Sequence, residues 1–271
     1  MSSNITNISH IEVPSLSPTE QKIYSNLYGT RVITLGDVIQ LVGSYKKSAD
    51  YIHRLAQKGY FQKIRKGVYA IVPPNLVGKD FDADKILIAS KLSDNYFISH
   101  HTALEIHGVA QSYFNTLFVS TNKRFTPLNY KNITINPVLT KYFFGIEKKD
   151  YLNQCITISD KERTILDCMR KIEYTGGWEE LFKSFASFPY IDFDKMYEYL
   201  LKFKEYSLFS RTGFVFELLS EEIDTPSNFL KNIEKNVSKR KYYFDNYNKG
   251  KLIKPWNLIV PKTIYELVRY V

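Results

Sequence analysis

The sequence predicts an α+β protein: an N-terminal winged helix-turn-helix followed by a mixed α/β, helix-rich C-terminal domain. Three observations lead there. Within residues 17–72, three short amphipathic patterns run directly into period-two alternation around a Lys66-Gly67 turn. Pro73, Pro74 and Gly78 then interrupt all periodicity. Beyond Asp80, strand-like runs alternate with helical patterns, and from Trp178 the helical patterns dominate.

The Ser/Asn/Thr-rich start, residues 1–16, reads as a flexible tail. Ser17, Pro18 and Glu20 form a capping-box pattern that opens a first helix ending near Gly29. Thr34 caps a second helix whose apolar face is Leu35, Val38, Ile39 and Val42, stopped at Gly43. Ser44 caps a third through about Lys58, with Ala49, Ile52, Leu55 and Ala56 inward and Lys46, Lys47, Asp50, His53, Arg54 and Gln57 outward. YFQKIRKGVYAIV alternates as a β-hairpin. This order, over residues 17–72, is that of a winged helix.

Residues 73–79 read as a linker and 80–271 as the second domain. There DADKILIASKL, SHHTALEIHG and SDKERTILDCMRK read as helices, and TLFVST and KNITINPV as strands. WEELFKSFASF, DFDKMYEYLLKF, LFSRTGFVFELLSEEI and PSNFLKNIEKN continue as helices. KYYFDNYNKG and WNLIV read as two strands around an Asn248-Lys249-Gly250 turn.

Composition permits this architecture. A chain of 271 residues, 44% hydrophobic with 21 Tyr and 18 Phe, can bury a sizeable core or two. Cys155 and Cys168 lack CxxC spacing, and neither a signal-peptide pattern nor a membrane-length apolar run occurs, so the expected location is the cytoplasm. The net charge of +9 is unevenly spread. Residues 1–72 hold nine basic and four acidic side chains, net +5, so that the first quarter carries more than half the excess.

From Ser44 to Gly67 seven cations face one acid, Asp50, for a local +6. Such a surface suits the phosphate array of duplex DNA, where neutralisation releases condensed counterions. In helix-turn-helix docking, the leading end of the recognition helix meets base edges and the wing lies on the backbone. Ser44, Tyr45, Lys46, Lys47 and Ser48 therefore become the expected recognition residues, with Arg54, Lys63, Arg65 and Lys66 as phosphate holders.

Other constellations carry less. His100, His101 and His107 invite a zinc reading, but His100 and His107 lie about 10 Å apart along a helix, so packed histidines are expected and no metal. Arg163 and Asp167 form an i, i+4 pair that supports a helix, and Cys168 reads as a small buried hydrophobe. Phosphate-binding glycine loops, HExxH and GxSxG are lacking, so neither cofactor nor enzymatic activity is expected. Residues 231–254 carry a second net +6 interleaved with Tyr242, Tyr243, Phe244 and Tyr247. That segment reads equally as a nucleic-acid surface or as a basic hairpin with its aromatics in the core.

Four features in order resemble the AbiEi family of antitoxins from abortive-infection toxin-antitoxin systems: the winged-helix pattern, GYFQKIRKGVYAI, ISHHTALEIHGV and ISDKERTILDCM, spanning about Thr19 to Met169. The resemblance implies a prokaryotic autorepressor whose winged helix binds operator DNA, with Tyr51 joining Ser44 to Ser48, Arg54, Lys63, Arg65 and Lys66 as matches to the family's DNA-binding element. It implies also a C-terminal domain that counteracts an AbiEii-type nucleotidyltransferase toxin. A palindromic operator would then take two winged helices, from a homodimer or from two cooperating monomers. The alternative reading is a protein-binding module that neutralises a toxin by direct contact, with DNA binding incidental.

Overall fold

The computed structural model describes residues 13–245 and 249–268, and the backbone divides into two compact units. Unit 1 takes in the chain up to Asp94 together with Asp150–Gln154, and unit 2 is formed by Asn95–Lys149 with the chain from Cys155 onward. The mixture of helices with three separate sheets is that of an α+β protein. Among the described residues, no helix is long and apolar enough to cross a membrane.

Unit 1 begins with α1 (Pro18–Leu27), where Ser17 and Glu20 close the reciprocal capping box. A three-residue strand follows, β1 (Val32–Thr34), which periodicity had not revealed because it is shorter than any alternation test can register. Thr34 and Asp37 form a second reciprocal box at the start of α2 (Leu35–Val42), and Gly43, in the left-handed region at φ 77°, ends it. Ser44 caps α3 (Tyr45–Gln57). Strands β2 (Phe61–Arg65) and β3 (Val68–Ile71) form a hairpin whose Gly67 has φ 84°, and β1 pairs with β3 to complete a sheet of order β1-β3-β2. Ile23, Leu27, Ile33, Val38, Ile52, Leu55, Phe61 and Ile71 converge in the core beneath.

Two expected boundaries move. Residues 13–16, assigned to the tail, are held: the Tyr60 hydroxyl donates to Pro14 O and Lys58 Nζ to Ser15 O. The rest of that tail, through residue 12, lies outside the described residues. Residues 73–79, assigned to a linker, belong to unit 1: after a 3₁₀ turn at Pro74–Leu76, Leu76 packs against its core and Val77 is buried in it. Prolines stopped the periodicity there without stopping the burial. Unit 1 continues through α4 (Lys85–Ser90), capped by Asp84, so the division at Asp94 falls later than the expected start at Asp80.

Unit 2 is organised on a six-stranded mixed sheet built from β4 (Tyr96–Ile98), β5 (Thr116–Thr121), β6 (Leu128–Tyr130), β7 (Ile133–Leu139), β8 (Ile146–Tyr151) and β9 (Gln154–Ser159). Its order is β6-β7-β5-β4-β9-β8. Parallel pairs β5/β7 and β4/β9 are joined by the antiparallel pair β4/β5. Helix α5 (His100–His107) follows β4, and α6 (Lys161–Arg170) follows β9. Helices α7 (Trp178–Ala186), α8 (Phe193–Phe203), α9 (Tyr206–Leu218) and α10 (Ser227–Glu234) then gather around an aromatic core containing Phe182, Phe185, Phe203 and Phe216.

The C-terminal strands pair differently from the expected hairpin. Strand β10 (Tyr242–Tyr243) runs parallel to β12 (Leu258–Val260), and the intervening β11 (Lys251–Ile253) runs antiparallel to it, before α11 (Thr263–Leu267). Strand β12 is the centre because Leu258 and Val260 bury on one side of it, beside Trp256. Asn248 of the expected turn lies outside the described residues.

Candidate functional site

The basic element of unit 1 is built by alternation of burial. On α3 the inward face is Ser48, Ile52 and Leu55, all buried at i, i+4, i+7 spacing. The opposite face presents Tyr45, Lys46, Lys47, Asp50, His53 and Arg54 to solvent. At the hairpin, Lys63 and Lys66 are exposed on either side of a β-bulge and turn, while Phe61, Val68 and Ala70 point into the core. Tyr45, Lys46, Lys47, Lys63 and Lys66 are thus the expected residues that remain fully available. Ser44 is half-buried, its Oγ accepting from Lys47 N at 3.5 Å, so its hydroxyl is occupied as the helix cap.

Two expected contacts are corrected. Ser48 cannot read bases: it is fully buried and its hydroxyl donates back to Ser44 O at 2.7 Å, because position 48 shares the inward stripe with Ile52. Arg65 does not project as a phosphate holder either. It is half-buried, and its Nη2 donates to Leu92 O at 2.6 Å, an attachment to a distant residue that local alternation does not register.

The remaining cations are sorted by one buried carboxylate. Glu20, 1% exposed, accepts Lys58 Nζ at 2.7 Å and lies 3.6 Å from Arg54 Nε. The Lys58 ammonium hydrogen bond holds the Glu20 carboxyl at about 2, far below the ordinary carboxylate value. Lys58 is therefore a structural cation, tying α3 to the start of α1. Arg54 stacks over the Tyr51 ring at 4.5 Å, which orients its guanidinium while leaving the side chain half-exposed. Tyr51 is thus a platform for Arg54.

In unit 2 the expected helix-supporting pair Arg163 and Asp167 becomes the centre of a buried network. Arg163, with no exposed surface, donates through Nε to Asp167 Oδ2 at 2.8 Å and through Nη1 to Phe144 O at 2.8 Å. Its guanidinium lies over the rings of Phe144 and Phe203, 4.6 and 4.7 Å away. Gly145 makes room: at φ 63°, a Cβ there would collide with Arg163 and the Tyr199 ring. Alongside, Asp160 caps α6 and accepts from the Tyr199 hydroxyl at 2.7 Å, and Lys195 bridges Asp160 and Glu162.

The histidines separate in space. His101 lies buried between Glu105 and Glu180 and stacks on Phe114 with centroids 3.8 Å apart. Glu105 comes from the same helix and Glu180 arrives from α7. The two carboxylates address opposite ring nitrogens and so do not converge on one point, and among the described residues no group of three or more His, Cys, Asp or Glu is placed to hold a metal ion. His107 Nε2 meets Ser159 O at 2.9 Å. Cys168 is fully buried, and burial pushes its thiol well above the ordinary value.

In the segment 231–254 all eight basic side chains are exposed, whereas Phe244 is buried against Trp178, Tyr242 is half-buried, and only Tyr243 of the described aromatics is exposed. Tyr247 lies outside the described residues. Stacking on successive aromatics is thus not offered by this segment among the described residues.

No protein-family model and no curated protein matches the sequence. Solved structures do resemble it. The crystal structure of the RV2827C protein from Mycobacterium tuberculosis superposes with a TM-score of 0.64 at 12% identity, covering 95% of this chain and 96% of that one. At that identity the likeness is one of fold, and it extends over both units.

Proposed function

We propose that the chain is a DNA-binding autorepressor and antitoxin, in which α1 to β3 form a winged helix-turn-helix with α3 as recognition helix and the β2-β3 turn as wing. The observation that carries the reading is the segregation on α3 and the hairpin. Tyr45, Lys46, Lys47, Lys63 and Lys66 stay exposed, while the cations that serve the fold, Lys58 and Arg65, are bound elsewhere within the unit. An exposed helix start with two ammonium groups and a phenol can meet phosphates and base edges together. Lys63 and Lys66 then hold the neighbouring backbone, and Arg54, braced by Tyr51, adds a further phosphate contact.

The resemblance to AbiEi antitoxins supplies the rest of the proposal: operator DNA as partner, an AbiEii-type nucleotidyltransferase toxin as the activity opposed, the cytoplasm as location, and no catalysis of the protein's own. A gel shift on the DNA upstream of the gene tests it. Sequence-preferring binding that is lost in Lys46→Ala/Lys47→Ala supports the reading. Binding without sequence preference, or indifferent to those substitutions, overturns it. Toxin opposition is tested separately, by co-expressing the full chain with a nucleotidyltransferase toxin encoded beside it and scoring growth.

A further inference from the structure

One cleft in unit 2 is marked by its lining rather than by its size. The cleft encloses 520 Å³ and is lined by His100, Asn122, Lys141, Asp167, Arg170 and Lys171 among others, brought from α5, the ends of β5 and β7, and α6. His100 has φ 55°, a left-handed conformation that a non-glycine residue adopts only at an energetic cost. It is also 2% exposed, so the fold holds an unfavourable backbone in order to keep this imidazole in place. Ser99 Oγ fixes the ring through Nδ1 at 2.8 Å and is itself bonded to Ser120 Oγ at 2.7 Å. Nε2 has no hydrogen-bond partner among the described residues.

Charge on the cleft wall is unevenly committed. Both oxygens of Asp167 are taken, by Arg163 and by Arg170, and Arg170 grips Glu205 with Nε and Nη2 at 2.9 and 2.6 Å. Two guanidiniums and two carboxylates thus cancel. Lys141 has no carboxylate within ion-pair distance among the described residues and rests on the Tyr142 ring. Lys171 has only a 3.7 Å approach to Glu173, with both side chains more than half exposed. The uncompensated charge at the mouth is therefore positive and comes from ammonium groups.

We propose that this cleft binds a small ligand through a phosphate group, with Lys141 and Lys171 as the charge partners and His100 and Asn122 as hydrogen-bonding partners. A planar carboxylate would call for a free guanidinium fork, and the fork of Arg170 is filled by Glu205; mobile ammonium donors suit a tetrahedral oxyanion instead. This assignment is independent of the DNA-binding reading of unit 1, since it uses none of the same residues.

The test is calorimetric titration of the full chain with inorganic phosphate and, separately, a nucleoside 5′-monophosphate. Binding of either is expected, with the second alone identifying a phosphate ester as the ligand. Lys141→Ala/Lys171→Ala is expected to weaken it at least about tenfold, as loss of charge-assisted contacts does. His100→Asn, which keeps a side chain tolerant of the left-handed region, is expected to fold and to weaken binding similarly. Lys46→Ala/Lys47→Ala should leave the titration unchanged. No heat or thermal stabilisation with either probe at about 10 mM overturns the proposal, as does binding that survives the unit 2 substitutions and disappears with those on α3.

Discussion

Two charged helices, α3 in unit 1 and α6 in unit 2, look alike in sequence and are used in opposite ways. In α3, Lys46 and Lys47 stand in solvent with the buried side reserved for Ser48, Ile52 and Leu55. In α6, Glu162, Arg163 and Asp167 are themselves buried: Glu162 accepts from Asp192 N, Arg163 donates to Phe144 O, and Asp167 is held by Arg163 and Arg170 of the same helix. A charge left in water is free to meet a polyanion, and a charge taken out of water must be matched within the fold. Partners decide which case applies, and for Glu162 and Arg163 they come from tertiary structure.

The contrast is broken most forcefully at Arg163. Arg163→Ala leaves Asp167 buried with half its pairing, and a loss of about 3–5 kcal/mol is expected in urea unfolding. A loss below about 1 kcal/mol would mean that the network is ornamental. The acid response should then separate the two units. Burial lowers the His100 imidazole from 6.5 to about 4, so the unfolded chain takes up that proton first. Stability should therefore decline as the pH falls from about 6.5 to about 4, by on the order of 3 kcal/mol, and His100→Asn should flatten that window.

Glu20 acts lower on the scale. Its carboxyl is held at about 2 by Lys58 against an ordinary 4.5, so its contribution is complete above about 4.5 and is lost as the pH falls toward 2. Glu20→Gln is expected to cost about 2 kcal/mol at neutral pH and to remove that dependence. At the small end, Lys46→Ala/Lys47→Ala should change unfolding stability by no more than about 0.5 kcal/mol, because both side chains are exposed and neither ammonium is engaged among the described residues. A larger loss would place those lysines with the structural cations.

Much of unit 1 was legible because its signals are local. Ser17 with Glu20, Thr34, Gly43, Ser44 and the Lys66-Gly67 turn each act within four residues of themselves, and the helices and hairpin begin and end where they indicate. The available face of α3 was legible for the same reason, since exposure follows helical period. What escaped depends on distant partners. Ser48 looked polar and therefore available, yet its position lies on the inward stripe; Arg65 is anchored on Leu92; Glu20, read only as a cap, also binds Lys58.

The cleft in unit 2 was invisible for a further reason. His100, Lys141 and Arg170 belong to three elements that only the sheet order brings together, and the left-handed backbone of His100 has no glycine to announce it. The three-residue strands β1 and β4 likewise draw their pairing from β3, β5 and β9 rather than from any pattern of their own.

The central claim, that the exposed cations of α3 and the β2-β3 turn contact DNA phosphates, is tested most directly by the salt dependence of operator binding. Each phosphate contact contributes about 0.9 to the slope of log affinity against log salt. Replacing Lys46, Lys47, Lys63 and Lys66 by Ala in turn should lower the magnitude of that slope by about 1 for each lysine that meets a phosphate, while Lys58→Ala should leave the slope of the folded protein unchanged. Slopes that stay constant across the four exposed-lysine variants would contradict the account.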